Sequence, residues 1–387
     1  SEARDQLMAA MDILRTDPGP DTVRALEQMA ALEVFGGSPD ADRLTTEALT
    51  LGQALGVDVS QMCALLEIRA IYLEFTDRRT ETIAYLRESI RLATEAGDTF
   101  AMGAGLLNLS EGLSDWAAKA AAARTAAGHL RRVGNRDFLG YAVGNAARAL
   151  VALGDWDGAD AETAQAIASD GLAENGQVTL QRAELAALRG DTPAVAAMLV
   201  DMQDLARSEE PQDQASISLV RAFAAAASGQ LQNALRHARE VIAHADVLGT
   251  GAGLPWAWAT AARAAFELEE THTVRELVAL ADSFPPGLLP PMLRAERDLA
   301  LARLAAATGD PAAEPQFASA ISGLRELSTP YHLAHGLLDQ AAYLTGLDDA
   351  AAAALAIDEA EAIGRRLRCQ PLLDRAAAMA SAEGIRA

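Results

Sequence analysis

The chain predicts an all-α fold, an array of about nine helical hairpins stacked one on the next. Three observations lead there. Half of the 387 residues are hydrophobic but only 4 % are aromatic, so the apolar content is chiefly Ala and Leu, which favour helices and let them approach closely. Apolar residues recur at i, i+3, i+4 and i+7 over segments of roughly 13 to 18 residues, the period of one helix face, with no period-2 strand between them. Turn-forming stretches return every 36 to 40 residues or so, the mark of a repeat array.

The corners come in order. FGGSPD at Phe35 is a weak first one, and FTDRR at Phe75, LSDWA at Leu113, LGDWD at Leu153 and RGDTP at Arg189 follow. SGQLQ at Ser228, LEETH at Leu268, TGDPA at Thr308 and TGLDD at Thr345 complete the set. Gly and Asp supply the backbone freedom and the helix caps that such corners need. In "ALVALGDWDGADAETA", Ala149 to Ala164, the acidic residues have the wrong spacing for a calcium loop. That stretch therefore reads as a corner, with Gly154 as the turn, an aspartate as cap, Trp156 packed over the junction and Ala159 admitting the second helix.

Residues that did not define the register support it. Anchored on Ser114, Gly154, Gly190, Gly229, Glu269, Gly309 and Gly346, the column seven back reads Leu107, Ala147, Ala183, Ala222, Ala262, Ala302 and Asp339. Small residues belong where the two helices of a hairpin cross. The column nine forward is Ala123, Thr163, Leu199, Ala238, Val278, Ala318 and Leu355, which face the neighbouring helices. Two longer connections, DVLGTGAGLPW (Asp246 to Trp256) and SFPPGLLPP (Ser283 to Pro291), separate successive hairpins, and Leu288 and Leu289 of the second are expected to tuck onto the adjoining pair. Neither divides the chain, so residues 1–387 read as one array, with degenerate repeats over 1–97 and clearer ones over 98–387.

The first-helix alanine, the Gly-Asp turn and the small-then-apolar second helix, as in LVALGDWDGADAETAQAI (Leu150 to Ile167), resemble the tetratricopeptide repeat in a longer variant. The strict pattern's aromatic residues and helix-ending proline are missing from most repeats. The resemblance implies a right-handed α-α superhelix with the first helix of each hairpin on the concave side. The stretches LALARLAAATGDPAAEPQFASAISGLRELSTPYHLAHGLLDQAAYL and DEAEAIGRRLRCQPLLDRAAAM are similar to the C-terminal repeats of large bacterial signalling proteins, which carry a cyclase or DNA-binding module and a MalT-like ATPase. That similarity implies a sensor or scaffold arm without catalytic parts, and the two isolated cysteines, Cys63 and Cys369, point to a cytoplasmic chain. The polar N-terminus, which lacks an initiating Met, is expected to be a processed end or a cut from something larger.

Composition excludes several classes. The net charge is −22 and Lys119 is the only lysine, a balance that repels nucleic acid and anionic membranes. No run of about 18 apolar residues forms a membrane span. The phosphate-binding loop GxxxxGK[ST] and the nucleophile motif GxSxG are absent. His332 and His335 are three apart on a helix but lack a third ligand, and Cys63 and Cys369 stand in no paired motif. The expectation is a chain with no enzymatic activity, metal or cofactor.

The candidate site is a stripe on the first helices, read six and thirteen residues before each corner. The six-back column holds Asn108, Arg148, Glu184, Phe223, Arg263, Arg303 and Gln340; the thirteen-back column holds Tyr141, Gln177, Trp256 and Glu296 among smaller residues. Polar groups interleaved with Tyr and Trp suit an extended peptide. Arg148, Arg263 and Arg303 are the expected anchors for an acidic ligand. The leading reading is a protein or peptide partner bound in the concave groove. The alternative is a small-molecule inducer in a pocket near Trp256 and Trp258, as in MalT-like regulators.

Overall fold

The structure, a computed structural model, describes residues 2–14, 16–251, 253–285 and 287–382. Ala252 and Pro286, one in each longer connection, lie outside them. Every regular element among the described residues is a helix. After α1 (Glu2–Leu14), the hairpins are α2 (Pro20–Phe35) with α3 (Ala41–Leu55), α4 (Val59–Phe75) with α5 (Arg79–Ala96), and α6 (Thr99–Gly112) with α7 (Trp116–Val133). Next come α8 (Arg136–Leu153) with α9 (Trp156–Asp170), and α10 (Gly176–Arg189) with α11 (Thr192–Asp201), the latter extended by a single turn, α12 (Gln203–Ala206). Then α13 (Pro211–Ala227) pairs with α14 (Leu231–Ala243), again followed by one turn, α15 (Ala245–Leu248). The last three pairs are α16 (Gly253–Glu267) with α17 (Thr271–Ser283), α18 (Pro291–Ala307) with α19 (Ala313–Leu327), and α20 (Pro330–Gly346) with α21 (Ala350–Leu367). A final described helix, α22 (Gln370–Ala382), packs on α20 in the place of a tenth first helix.

The corners are built as their residues dictate. Asp115, Asp155, Asp191 and Asp349 each accept the backbone N–H three residues on, satisfying a donor that the helix start leaves free. Gly154 has φ +79°, open to glycine at no steric cost. Trp156 is buried, and its indole N–H donates to the Val151 carbonyl at 3.0 Å. The seven-back alanines Ala147, Ala183, Ala222, Ala262 and Ala302 are all buried, so the first helix of each hairpin meets its neighbours along a row of methyl groups. The same count from Asp77, the left-handed corner residue of FTDRR, gives buried Ala70.

The register needs correcting at two places. In the last hairpin the left-handed residue is Asp348 (φ +61°), and Gly346 still belongs to α20. Moving the anchor two residues replaces Asp339 with buried Ala341 in the seven-back column, and Gln340 gives way to Ala342 in the six-back column. Leu355 is 73 % exposed, while Ile357 takes its expected place in the core. In the TGDPA hairpin the second helix starts late, after Ala312, so Ala318 is exposed and Ala320 and Ile321 are buried instead. In the proline-rich connection Leu289 packs on the core but Leu288 is exposed.

A linear array in which hairpins touch only their neighbours is not what forms. First helices stack in order, α2 on α4, α4 on α6 and so on to α20 on α22, and the stack coils until hairpin n meets hairpin n+5. Asp77, at the second corner, accepts from the backbone and hydroxyl of Thr250, 173 residues on. Pro330 and Tyr331 of α20 lie against Gly154 and Trp156 at the fourth corner. At the fifth, Cys369 Sγ donates to the Leu188 carbonyl, 181 residues away, and Arg189 Nε donates to the Leu367 carbonyl. Asp157 and Arg368 add an ion pair at 2.8 Å. The nearly constant offset makes these contacts a seam between successive superhelical turns.

Candidate functional site

The stripe does lie on the first helices, and its members fall into two networks and two smaller pairings. On α6, Asn108 Nδ2 donates to Glu67 Oε2 at 3.4 Å. On α8, Tyr141 is 43 % exposed and stands beside Gln177 of α10; burial and the carboxylates of Asp213 and Glu210 raise the pKa of its hydroxyl. Arg148 reaches Glu111 at 3.7 Å. With the Gln181 amide turned so that its oxygen faces Arg148, that oxygen accepts from Arg148 at 3.0 Å and the amide nitrogen donates to Glu184 at 3.3 Å. Burial raises the pKa of the Glu184 carboxyl and Arg148 opposes it.

Further along, the same columns close up. Arg263 pairs with Glu296 at 2.9 Å and Arg303 with Asp339 at 2.9 Å, while Arg375 of α22 holds the other Asp339 oxygen. Both carboxylates are buried. For Glu296 burial outweighs the pull of Arg263 and pushes its pKa up to about 7; Asp339, buried but held between arginines, stays below the usual carboxylate range. Arg303 also lies 3.9 Å over the ring of Phe266. Arg263 and Arg303, expected as anchors for an acidic ligand, thus already carry internal counter-ions, and the chain places only Arg148 in a looser setting.

The aromatic part is filled as well. Trp256 is stacked on Tyr331 with centroids 5.8 Å apart and lies edge-on to Phe223 and His332. Tyr331 meets Trp156 on its other side at 5.9 Å. Trp258 is a core residue, its indole donating to the Leu277 carbonyl. The faces of Trp256 expected to line a pocket are therefore covered by the protein's own rings, and Trp258 is closed inside the core. His332 and His335, expected as surface or packing residues, sit inside this cluster, and burial with Arg263 nearby drives both to the neutral form. Arg375 can only donate to His335 Nδ1, which leaves the proton on Nε2. No group of three or more His, Cys, Asp or Glu that could hold a metal ion occurs among the described residues.

Several residues of these networks lie outside the two candidate columns: Glu67, Gln181 and Arg375, and also Asp339, which the Gly346 anchor places among the small seven-back residues. A signal existed: counted from the true corners, the position nine back is Asn145, Gln181, Thr260 and Asp339 in four hairpins, a second polar column on the same helices. Asn145 donates to Ser110 Oγ at 3.1 Å, so this column also ties one first helix to another.

No family model matches the chain, and no curated protein matches it. Among solved structures, that of yeast Tom70 aligns with all of this chain and 96 % of its own length, at 11 % identity and a TM-score of 0.33. So remote a likeness assigns neither family nor function. No helix among the described residues is long and apolar enough to cross a membrane.

Proposed function

We propose that the chain is a non-enzymatic protein-interaction scaffold whose inner face binds an extended segment of a protein partner. The observation that carries this reading is the contrast along the stripe. From α16 to α22 its charges are matched and its rings stacked, whereas from α6 to α10 it holds Asn108, Tyr141, Arg148, Gln177 and Glu184 half-buried or exposed on the first helices of three consecutive hairpins. Donors, acceptors and an aromatic ring at one-helix intervals suit the repeating polar groups of an extended backbone. Arg148, with its nearest carboxylate at 3.7 Å, can exchange Glu111 for an acidic side chain of the partner. Transmission of this binding to modules elsewhere in a larger signalling protein belongs to the same proposal and comes from the sequence resemblance.

The test is selection of random 12-residue peptides on the full chain, followed by affinity measurement on Arg148→Glu and Tyr141→Ala. Selected peptides should lose tenfold or more on both variants. Peptides that bind wild type and both variants equally would show that the stripe is only solvated surface.

A further inference from the structure

The seam between superhelical turns holds a cleft of about 370 Å³, within the size range of small-molecule sites. One wall belongs to the third and fourth hairpins, with half-buried Trp116 and Leu153, 43 % exposed. The other belongs to the eighth and ninth, with Pro330, Leu333 and Ile363. The walls come from opposite sides of the seam and are mixed, with these apolar residues beside Arg325, Ser328, Thr329, Glu359 and Arg366.

Two polar groups in the lining have no partner. Ser328 Oγ, in the link between α19 and α20, is buried without a hydrogen bond. Arg366 is exposed and has no ion pair among the described residues, whereas its neighbour in the lining, Arg325, is held by Glu359 through both terminal nitrogens at 2.6 Å. Lys119, the chain's single lysine, stands 5.2 Å over the Trp116 ring. A chain with a net charge of −22 therefore keeps an unpaired guanidinium beside an apolar cleft and an unused hydroxyl.

We propose that this cleft binds a small amphiphilic oxyanion, a carboxylate or phosphate head on a short apolar chain. The guanidinium of Arg366 pairs with the head. The apolar chain lies against Leu153, Trp116 and Leu333, where its burial from water supplies the rest of the affinity. Because the two walls belong to different superhelical turns, an occupant braces the seam, and the closed coil gains stability by mass action.

The experiment titrates the full chain with octanoate, octyl phosphate, acetate and octanol, read by tryptophan emission, calorimetry and thermal melting. At least one of the two amphiphilic anions should bind saturably and raise Tm, with acetate and octanol at least tenfold weaker; which anion wins identifies the head. Arg366→Glu and Leu153→Asp should each lose tenfold or more in affinity while melting as wild type without ligand, and Arg148→Glu on the inner face should bind unchanged. Absence of saturable binding, equal binding of acetate or octanol, or unaltered affinity in Arg366→Glu would overturn the proposal. Loss of binding in Arg148→Glu would place the ligand on the inner face and overturn it too.

Discussion

Replacing Glu67 with Gln should stabilise the protein at neutral pH, by an amount that grows with pH. Glu67 is buried on α4, where Ser89 Oγ donates to one carboxyl oxygen at 2.9 Å and Asn108 to the other at 3.4 Å. No cation offsets its burial, and the carboxylates of Asp98 and Glu27 add to the cost of ionising it, so its pKa is pushed up from 4.5 to about 8. The folded chain keeps a proton that the unfolded chain has lost above pH 4.5. Stability from this group is therefore complete below pH 4.5 and falls as pH rises, by about 1.4 kcal/mol per unit, until it levels off near pH 8. The loss amounts to about 3 kcal/mol at pH 7. Glutamine cannot ionise, so Glu67→Gln and wild type should be nearly equal at pH 4.5 and differ by about 3 kcal/mol at pH 7 in favour of the variant. Urea unfolding followed by circular dichroism at 222 nm from pH 4.5 to 8.5 measures the difference directly. A constant difference across that range, or a variant less stable than wild type at pH 8, would refute the reasoning.

Six other substitutions, in four tests, separate the forces at work. Gly154→Ala should cost about 2–3 kcal/mol, since φ is +79° and a Cβ would stand 2.8 Å from Pro330, whereas Gly229→Ala, at φ +70° with nothing within 4 Å, should cost about 1 kcal/mol; equal losses in urea unfolding would show that the seam does not press on the corner. Asp339→Ala should cost about 3–5 kcal/mol by stranding Arg303 and Arg375. Because the Asp339 pKa is held low, its contribution should persist as pH falls to about 4 and disappear only below that, and a loss already complete at pH 6 would contradict this. Tyr331→Ala removes the ring between Trp156 and Trp256 and should lower stability by about 3–5 kcal/mol while enlarging the radius of gyration in small-angle scattering; an unchanged radius would mean that the seam is held elsewhere. Leu355→Asp should melt within a few degrees of wild type while Ile357→Asp should not fold, and the reverse result would restore the register anchored on Gly346.

Local structure was legible because its causes are local. A glycine or aspartate followed by a cap and a helical stripe marks a corner within about ten residues, and the buried column from Ala147 to Ala302 follows from how closely two helices cross. The same locality misled the reading at Gly346. A glycine separated by one residue from two aspartates resembles the turn, yet Asp348 takes the left-handed conformation, and anchoring on Gly346 put Gln340 and Leu355 into columns where they do not belong. The candidate stripe was legible as a set of polar positions, but whether each was free was not. Arg263 and Glu296 lie on different helices, as do Arg303 and Asp339, and only packing decides that they meet.

The sequence by itself determined an all-α chain of about nine hairpins, where most of them turn and which helix face is polar, since each depends on neighbours within a turn or two of helix. The tertiary structure decided that the array closes on itself at hairpin n+5, that Trp256 and the later arginines are spent internally, and that a cleft opens between the turns. Those outcomes come from small rotations between successive hairpins, which add over some 175 residues. No short window of sequence records that sum, although Gly154 and Pro330, far apart in the chain, each carry half of its imprint.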